Sequence, residues 1–109
     1  MIVNQERVEL ALDYLNLDPH PLALARKDVT DAENRARQSF ARAFLSAEGS
    51  VESRKATAEL SSEYRQAKAE ESDAMLDLEK HRARIKGAEM LLEVWRTENA
   101  NARAAERIR

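Results

Sequence analysis

The sequence predicts an all-α fold: a helical hairpin with a long, coiled-coil-like second helix, a short N-terminal helix, and assembly as a homo-oligomer. Three observations predict it. Apolar residues recur at spacings of three and four through most of the 109-residue chain. The only two glycines and two prolines stand at a few points of punctuation. Charged residues make up 35% of a chain dominated by helix formers, with a mean hydropathy of -0.66. With only two Phe, two Tyr and one Trp, a lone chain buries a thin core, so partner copies are expected to complete it.

The first element is an arm over residues 1–17. Asn4 is placed to cap a helix from Gln5 to about Asn16, with Val8, Ala11, Leu12 and Leu15 on one face. A linker, 18–21, follows. Its prolines at 19 and 21 disfavour helix in the residues before them. Residues 22–109 then form one oligomerising domain, a hairpin of helices over 22–48 and 51–107.

Pro21 suits a first helical position, where its fixed φ and missing N–H cost nothing. The helix after it presents Leu22, Ala25, Val29, Ala32, Ala36, Phe40, Ala43 with Phe44, and Ala47, a face whose small residues admit a close neighbour. Gly49 suits the left-handed position that ends a helix. Ser50 suits the N-cap of the next, and Glu52 complements the dipole of its first turn.

The second long helix keeps a heptad register. Tyr64, Glu71, Leu78, Ile85, Leu92 and Asn99 occupy position a; Leu60, Ala67, Ala74, His81, Ala88, Trp95 and Ala102 occupy d. Unbroken over 51–107, it would be about 85 Å long. The helix over 22–48 covers only its first half. From about Met75 onward the seam needs the N-terminal arm, another subunit, or both, and homo-oligomerisation is the favoured answer. Leu60, Tyr64, Leu78, His81, Ile85, Leu92, Trp95 and Asn99 are the expected oligomer seam, with Asn99 selecting register. Gly87 interrupts the helix interior, either as a tolerated weak point or as a site of kinking or close helix approach.

Chemistry-bearing constellations are absent. There is no cysteine and hence no disulfide. His20 and His81 lack further ligands at metal spacing, and Glu70, Glu71 and Asp73 read as a solvated helix face. No phosphate loop or nucleophile-base arrangement is present, so no enzyme activity, metal or cofactor is expected. The N-terminus does not read as a signal peptide and no apolar run reaches membrane-spanning length, which predicts a cytoplasmic protein without membrane partners.

The formal net charge of -2 is unevenly distributed: residues 51–79 carry 4 basic and 8 acidic groups, and residues 80–109 carry 8 and 4. Such polarity serves antiparallel self-association or presents a basic end to a polyanion. Lys80, Arg82, Arg84 and Lys86 make a collar, with Arg82 and Arg84 placed to pair with Glu63, Glu70 or Asp77 of a neighbouring helix. Trp95, a candidate base-stacking residue, reads better as seam core. A second basic group surrounds the bend: Arg35, Arg37, Arg42, Arg54 and Lys55. Asp31 and Glu33 stand at i,i+4 from Arg35 and Arg37, and Glu52 can pair with Lys55. Repeated in an oligomer, the patch offers multivalent contact to a flexible phosphate backbone.

The segment Ala36-Arg37, Phe40, Arg42-Ala43-Phe44-Leu45, Glu48-Gly49-Ser50-Val51-Glu52, Arg54-Lys55-Ala56 and Ala58 resembles small helical proteins of tailed phages grouped with the UvsY-type recombination mediators. It covers about the middle quarter of the chain. The resemblance implies a homo-oligomer that binds single-stranded DNA and helps load a RecA-like recombinase onto strands coated with single-strand-binding protein. It would act in the host cytoplasm if phage-encoded. Carried over residue by residue, it makes Arg37 and Arg42 the first DNA contacts, with Arg35, Arg54 and Lys55 following by proximity. The chain departs from that family in its overall acidity and its proline-linked N-terminal helix. The rival expectation is a structural or adaptor coiled-coil protein, such as a phage assembly component or a helical inhibitor of a host factor, with no nucleic-acid binding.

Overall fold

A computed structural model describes residues 3–108, and among them every regular element is a helix. α1 spans Gln5–Leu15, α2 Pro21–Ser46, α3 Val51–Leu60 and α4 Ser62–Ile108. Local chemistry sets the boundaries. The Asn4 side chain accepts a hydrogen bond from the Arg7 amide at 2.8 Å, capping α1. Pro21 is the first residue of α2, and Ser50 caps α3 by accepting from the Ser53 amide at 3.2 Å. Gly49 has φ of 108°, a conformation that costs a side-chain-bearing residue energy. α2 ends at Ser46, two residues before the expected Glu48, so Gly49 lies in the bend rather than directly after the cap.

The helix expected over 51–107 is not continuous. It breaks at Ser61, whose ψ of 142° is extended. The Ser61 hydroxyl donates to the Ala58 carbonyl at 2.7 Å and accepts from the Tyr64 amide at 3.4 Å. One side chain therefore closes α3 and opens α4, the competition with helical bonding that short hydroxyl residues provide. Leu60, the last residue of α3, is 73% exposed within the chain. Gly87 does not interrupt α4, which runs unbroken for 47 residues, about 70 Å.

Tertiary packing divides the chain into two units, Leu22–Glu79 and Met1–Pro21 with Lys80–Arg109. In the first, α2 runs antiparallel to the start of α4. Ala25, Ala32, Ala36 and Ser39 are buried along α2, against Ala67 and Leu78 of α4 and Ala58 of α3. A core of such small residues brings helix backbones close together and leaves dispersion contacts, not bulk, to hold them. Phe40 supplies the larger contact, meeting Tyr64 edge to face at 5.3 Å.

In the second unit α1 runs antiparallel to the end of α4. Val8, Ala11 and Tyr14 are buried on α1. The facing residues of α4, among them His81, Ile85, Ala88, Leu92, Trp95 and Asn99, are half-buried. At the far end the Val3 amide donates to Glu98 Oε2 at 3.5 Å. The heptad face from Tyr64 to Asn99 is thus a packing face within this chain, met by α2 in one unit and α1 in the other. Ala102, beyond it, is exposed.

Candidate functional site

The concave surfaces of the Leu22–Glu79 unit gather most of the basic residues around the bend. One groove of about 530 Å³ is lined by Arg37, Phe40, Tyr64 and Lys68 together with two carboxylates, Glu33 and Glu71. Phe40 and Tyr64, in edge-to-face contact, are only half-buried and share the groove with the two cations. Lys68 lies 3.1 Å from Glu71, and that hydrogen bond, reinforced by the carboxylate's charge, raises the lysine pKa above its ordinary value. Lys68 is half exposed and open to another anion, whereas Glu71, only 17% exposed, depends more on the pair.

Arg42 lines two further grooves. One of about 630 Å³ lies along the end of α2, with Thr57, Ser61 and Glu63 on its other wall. The other, about 440 Å³, includes Arg35, Ser39 and Glu70. Arg35 does not take up its neighbour in sequence. Its Nε stands 3.7 Å from Glu70 of α4, tying the two helices together, while Asp31 pairs at 2.7 Å with Lys27. The expected bond between Asp31 and Arg35 is therefore replaced by two others.

The five predicted contact residues do not form one patch. Arg37 and Arg42 line grooves that also hold carboxylates, whereas Arg35 is engaged directly by Glu70. Arg54 is half-buried and its Nε is enclosed without a hydrogen-bond partner. Lys55 is exposed on α3. Sequence reasoning missed Lys68 and the joint use of Phe40 and Tyr64. The available signal was Tyr64 and Lys68 four apart, one helical turn, but Tyr64 was absorbed into the heptad core.

The second unit holds a different cluster. Tyr14, 5% exposed, shares a 3.0 Å hydrogen bond with His81 Nδ1 and meets the His20 ring at 4.9 Å. The Arg84 guanidinium lies over the Tyr14 ring, 3.9 Å from its centroid. Both histidines, 61 positions apart in the chain, therefore converge on one phenol. Arg84, expected to seek a carboxylate, is held against an aromatic face instead. Trp95 and Asn99 border a shallow groove of about 440 Å³ with Arg96, Arg103 and Glu106.

Among the described residues no three His, Asp or Glu side chains converge to hold a metal ion, and no helix is long and apolar enough to cross a membrane. Comparison with protein-family models, with curated proteins and with solved structures found no match.

Proposed function

We propose that the chain is a non-enzymatic, single-stranded-DNA-binding recombination mediator that helps load a RecA-like recombinase onto strands coated with single-strand-binding protein. One observation carries the DNA-binding part: the groove that half-buried Phe40 and Tyr64 line together with Arg37 and Lys68. Sequence-independent binding of single strands needs stacking platforms beside cations that track the backbone. Bases would stack on Tyr64 and Phe40, Arg37 and Arg42 would take phosphates, and an incoming phosphate would compete with Glu71 for Lys68. The mediator role itself rests on the resemblance of residues 36–58 to the UvsY-type proteins. Homo-oligomerisation would multiply the grooves along one strand.

Anisotropy of a labelled single strand, titrated at several salt concentrations, tests the reading. Neutralising about three phosphates per chain gives a slope of about -2 in log affinity against log salt. Arg37→Ala with Arg42→Ala should weaken binding and flatten that slope. No binding at about 50 mM salt would overturn it.

A second reading, a structural or adaptor helical protein, is favoured by the internal engagement of Arg35 with Glu70 and Lys68 with Glu71, in a chain of net charge -2. It predicts no strand binding at any salt concentration.

A further inference from the structure

α4 carries a second apolar stripe, separate from the face that α1 covers. Ala83, Gly87, Met90 and Val94 follow one another at steps of four, three and four, and at 100° per residue they fall within about 60° of one another. The stripe lies about 150° round the helix from the mean of His81, Ile85, Ala88, Leu92 and Trp95. All four residues are exposed, Met90 by 61% and Val94 by 45%. At Gly87 an added Cβ would meet nothing within 4 Å. Isolated exposed apolar side chains are ordinary on a surface, but a heptad row of them along one helix is the signature of a helix partner.

The pattern is complementary to itself. We infer that this stripe pairs with the same stripe of a second copy, in antiparallel orientation, about a two-fold axis passing between residues 88 and 89. Met90 of each chain then fills the open space over Gly87 of the other, and Val94 of each lies on Ala83 of the other, large against small in every layer. On the flank, Lys86 of each copy comes beside Glu93 of the other, so two ion pairs close symmetrically. Such an interface uses one patch twice, as a two-fold dimer requires. Among the described residues Glu93 pairs with Arg96, at 3.5 Å, with both side chains more than 70% exposed, and exchanges partners readily. A parallel arrangement sets Gly87 against Gly87 and Met90 against Met90, and brings Glu93 beside Glu98, two like charges. The antiparallel register avoids all three.

The inference stands independently of DNA binding. It also moves self-association away from the first heptad face, which α1 and α2 already occupy, and gives Gly87 a purpose that tolerance of a weak helix position does not.

Sedimentation velocity of the full chain over a concentration series, with four variants, tests it. The wild type should reach at least dimer mass as concentration rises. Gly87→Leu, whose Cβ meets nothing within 4 Å on an exposed helix face, should abolish association while helix content by circular dichroism is retained. Lys86→Glu and Glu93→Lys should each weaken association by about tenfold, the sum of two lost pairs and two repulsions, and the double variant should recover most of that loss. A second measurement fixes orientation in this cysteine-free chain: Gly87→Cys mixed with Met90→Cys should form the disulfide heterodimer faster than either variant forms a homodimer. A wild type that stays monomeric, association indifferent to Gly87→Leu, a double variant no stronger than the singles, or faster like-with-like crosslinking would each overturn the inference.

Discussion

The hydroxyl of Tyr14 and Nδ1 of His81 stand 3.0 Å apart although 67 positions separate them in the chain. This bond joins α1 to α4, a little before the middle of that helix, at the one large aromatic side chain of α1. Because Tyr14 is also packed against His20 and beneath Arg84, three side chains from two other segments depend on a single residue.

Removing the hydroxyl alone separates the bond from the packing. Tyr14→Phe should destabilise the chain by about 1 kcal/mol, because it leaves a partly buried imidazole nitrogen without its partner. Tyr14→Ala should cost about 3 kcal/mol or more, since the ring's buried surface and its contacts with His20 and Arg84 go as well. Urea unfolding midpoints read both. Equal losses for the two variants would mean that the ring itself carries no weight.

Ser61 offers a test of the helix break. Ser61→Ala loses both hydroxyl bonds, to Ala58 and from Tyr64, and should lower stability by about 1 kcal/mol. A rise in stability, accompanied by stronger far-ultraviolet ellipticity, would mean that the break is imposed against the preference of the chain and that a continuous helix is accessible.

The two glycines should respond oppositely to alanine. Gly49→Ala forces a side chain into φ of 108° and brings its Cβ to 3.2 Å from Ser53 Oγ, so it should destabilise by about 1–2 kcal/mol. Gly87→Ala meets open space in the middle of a helix and should stabilise the free chain by about 1 kcal/mol. Thermal unfolding at low protein concentration, where association does not contribute, compares them directly.

Lys27 and Asp31 form the shortest ion pair described, 2.7 Å. The hydrogen bond from Lys27 holds the Asp31 carboxyl below its ordinary value of 3.8, with desolvation opposing and the lysine's charge assisting. A depressed carboxylate pKa favours the folded state above the unfolded pKa, and that advantage disappears as pH falls through the folded one. Carboxyl-carbon titration by NMR should show Asp31 below its ordinary value in the wild type and returned towards it in Lys27→Gln. The effect should shrink at high salt, because the pair faces water.

Stacking and charge in the proposed strand groove are separable. Tyr64→Ala should weaken single-strand binding by about 1–3 kcal/mol per stacked base while leaving the salt slope unchanged. Arg37→Ala should reduce the slope by less than one unit. The anisotropy titrations proposed above measure both, and a salt slope altered by Tyr64→Ala would remove the ring from a stacking role.

Capping shows how far the residues speak for themselves. Asn4, Pro21 and Ser50 were legible because each acts on backbone within three or four positions of itself. Ser61 acts over the same short range, yet the heptad from Leu60 to Tyr64 ran through it. An apolar period reports which side of a helix wants cover and is silent about whether a hydroxyl diverts the backbone. The basic residues of the candidate site were legible as types, but not their engagements: Arg35 turns to Glu70 and Arg84 to Tyr14, and both partners lie far away in sequence.

By itself, then, the sequence determined that the chain is helical, where most helices start, and which face of α4 is covered from Tyr64 to Asn99. Those are consequences of side-chain period and local backbone chemistry. Only the tertiary structure decided what does the covering, α2 in one unit and α1 in the other. It also decided that His20 and His81 share one tyrosine, and that Phe40 and Tyr64 share a groove with Arg37 and Lys68. The physical reason is range. A helix face is written every three or four residues, whereas its occupant depends on where the chain returns after a turn, and no spacing within the helix encodes that.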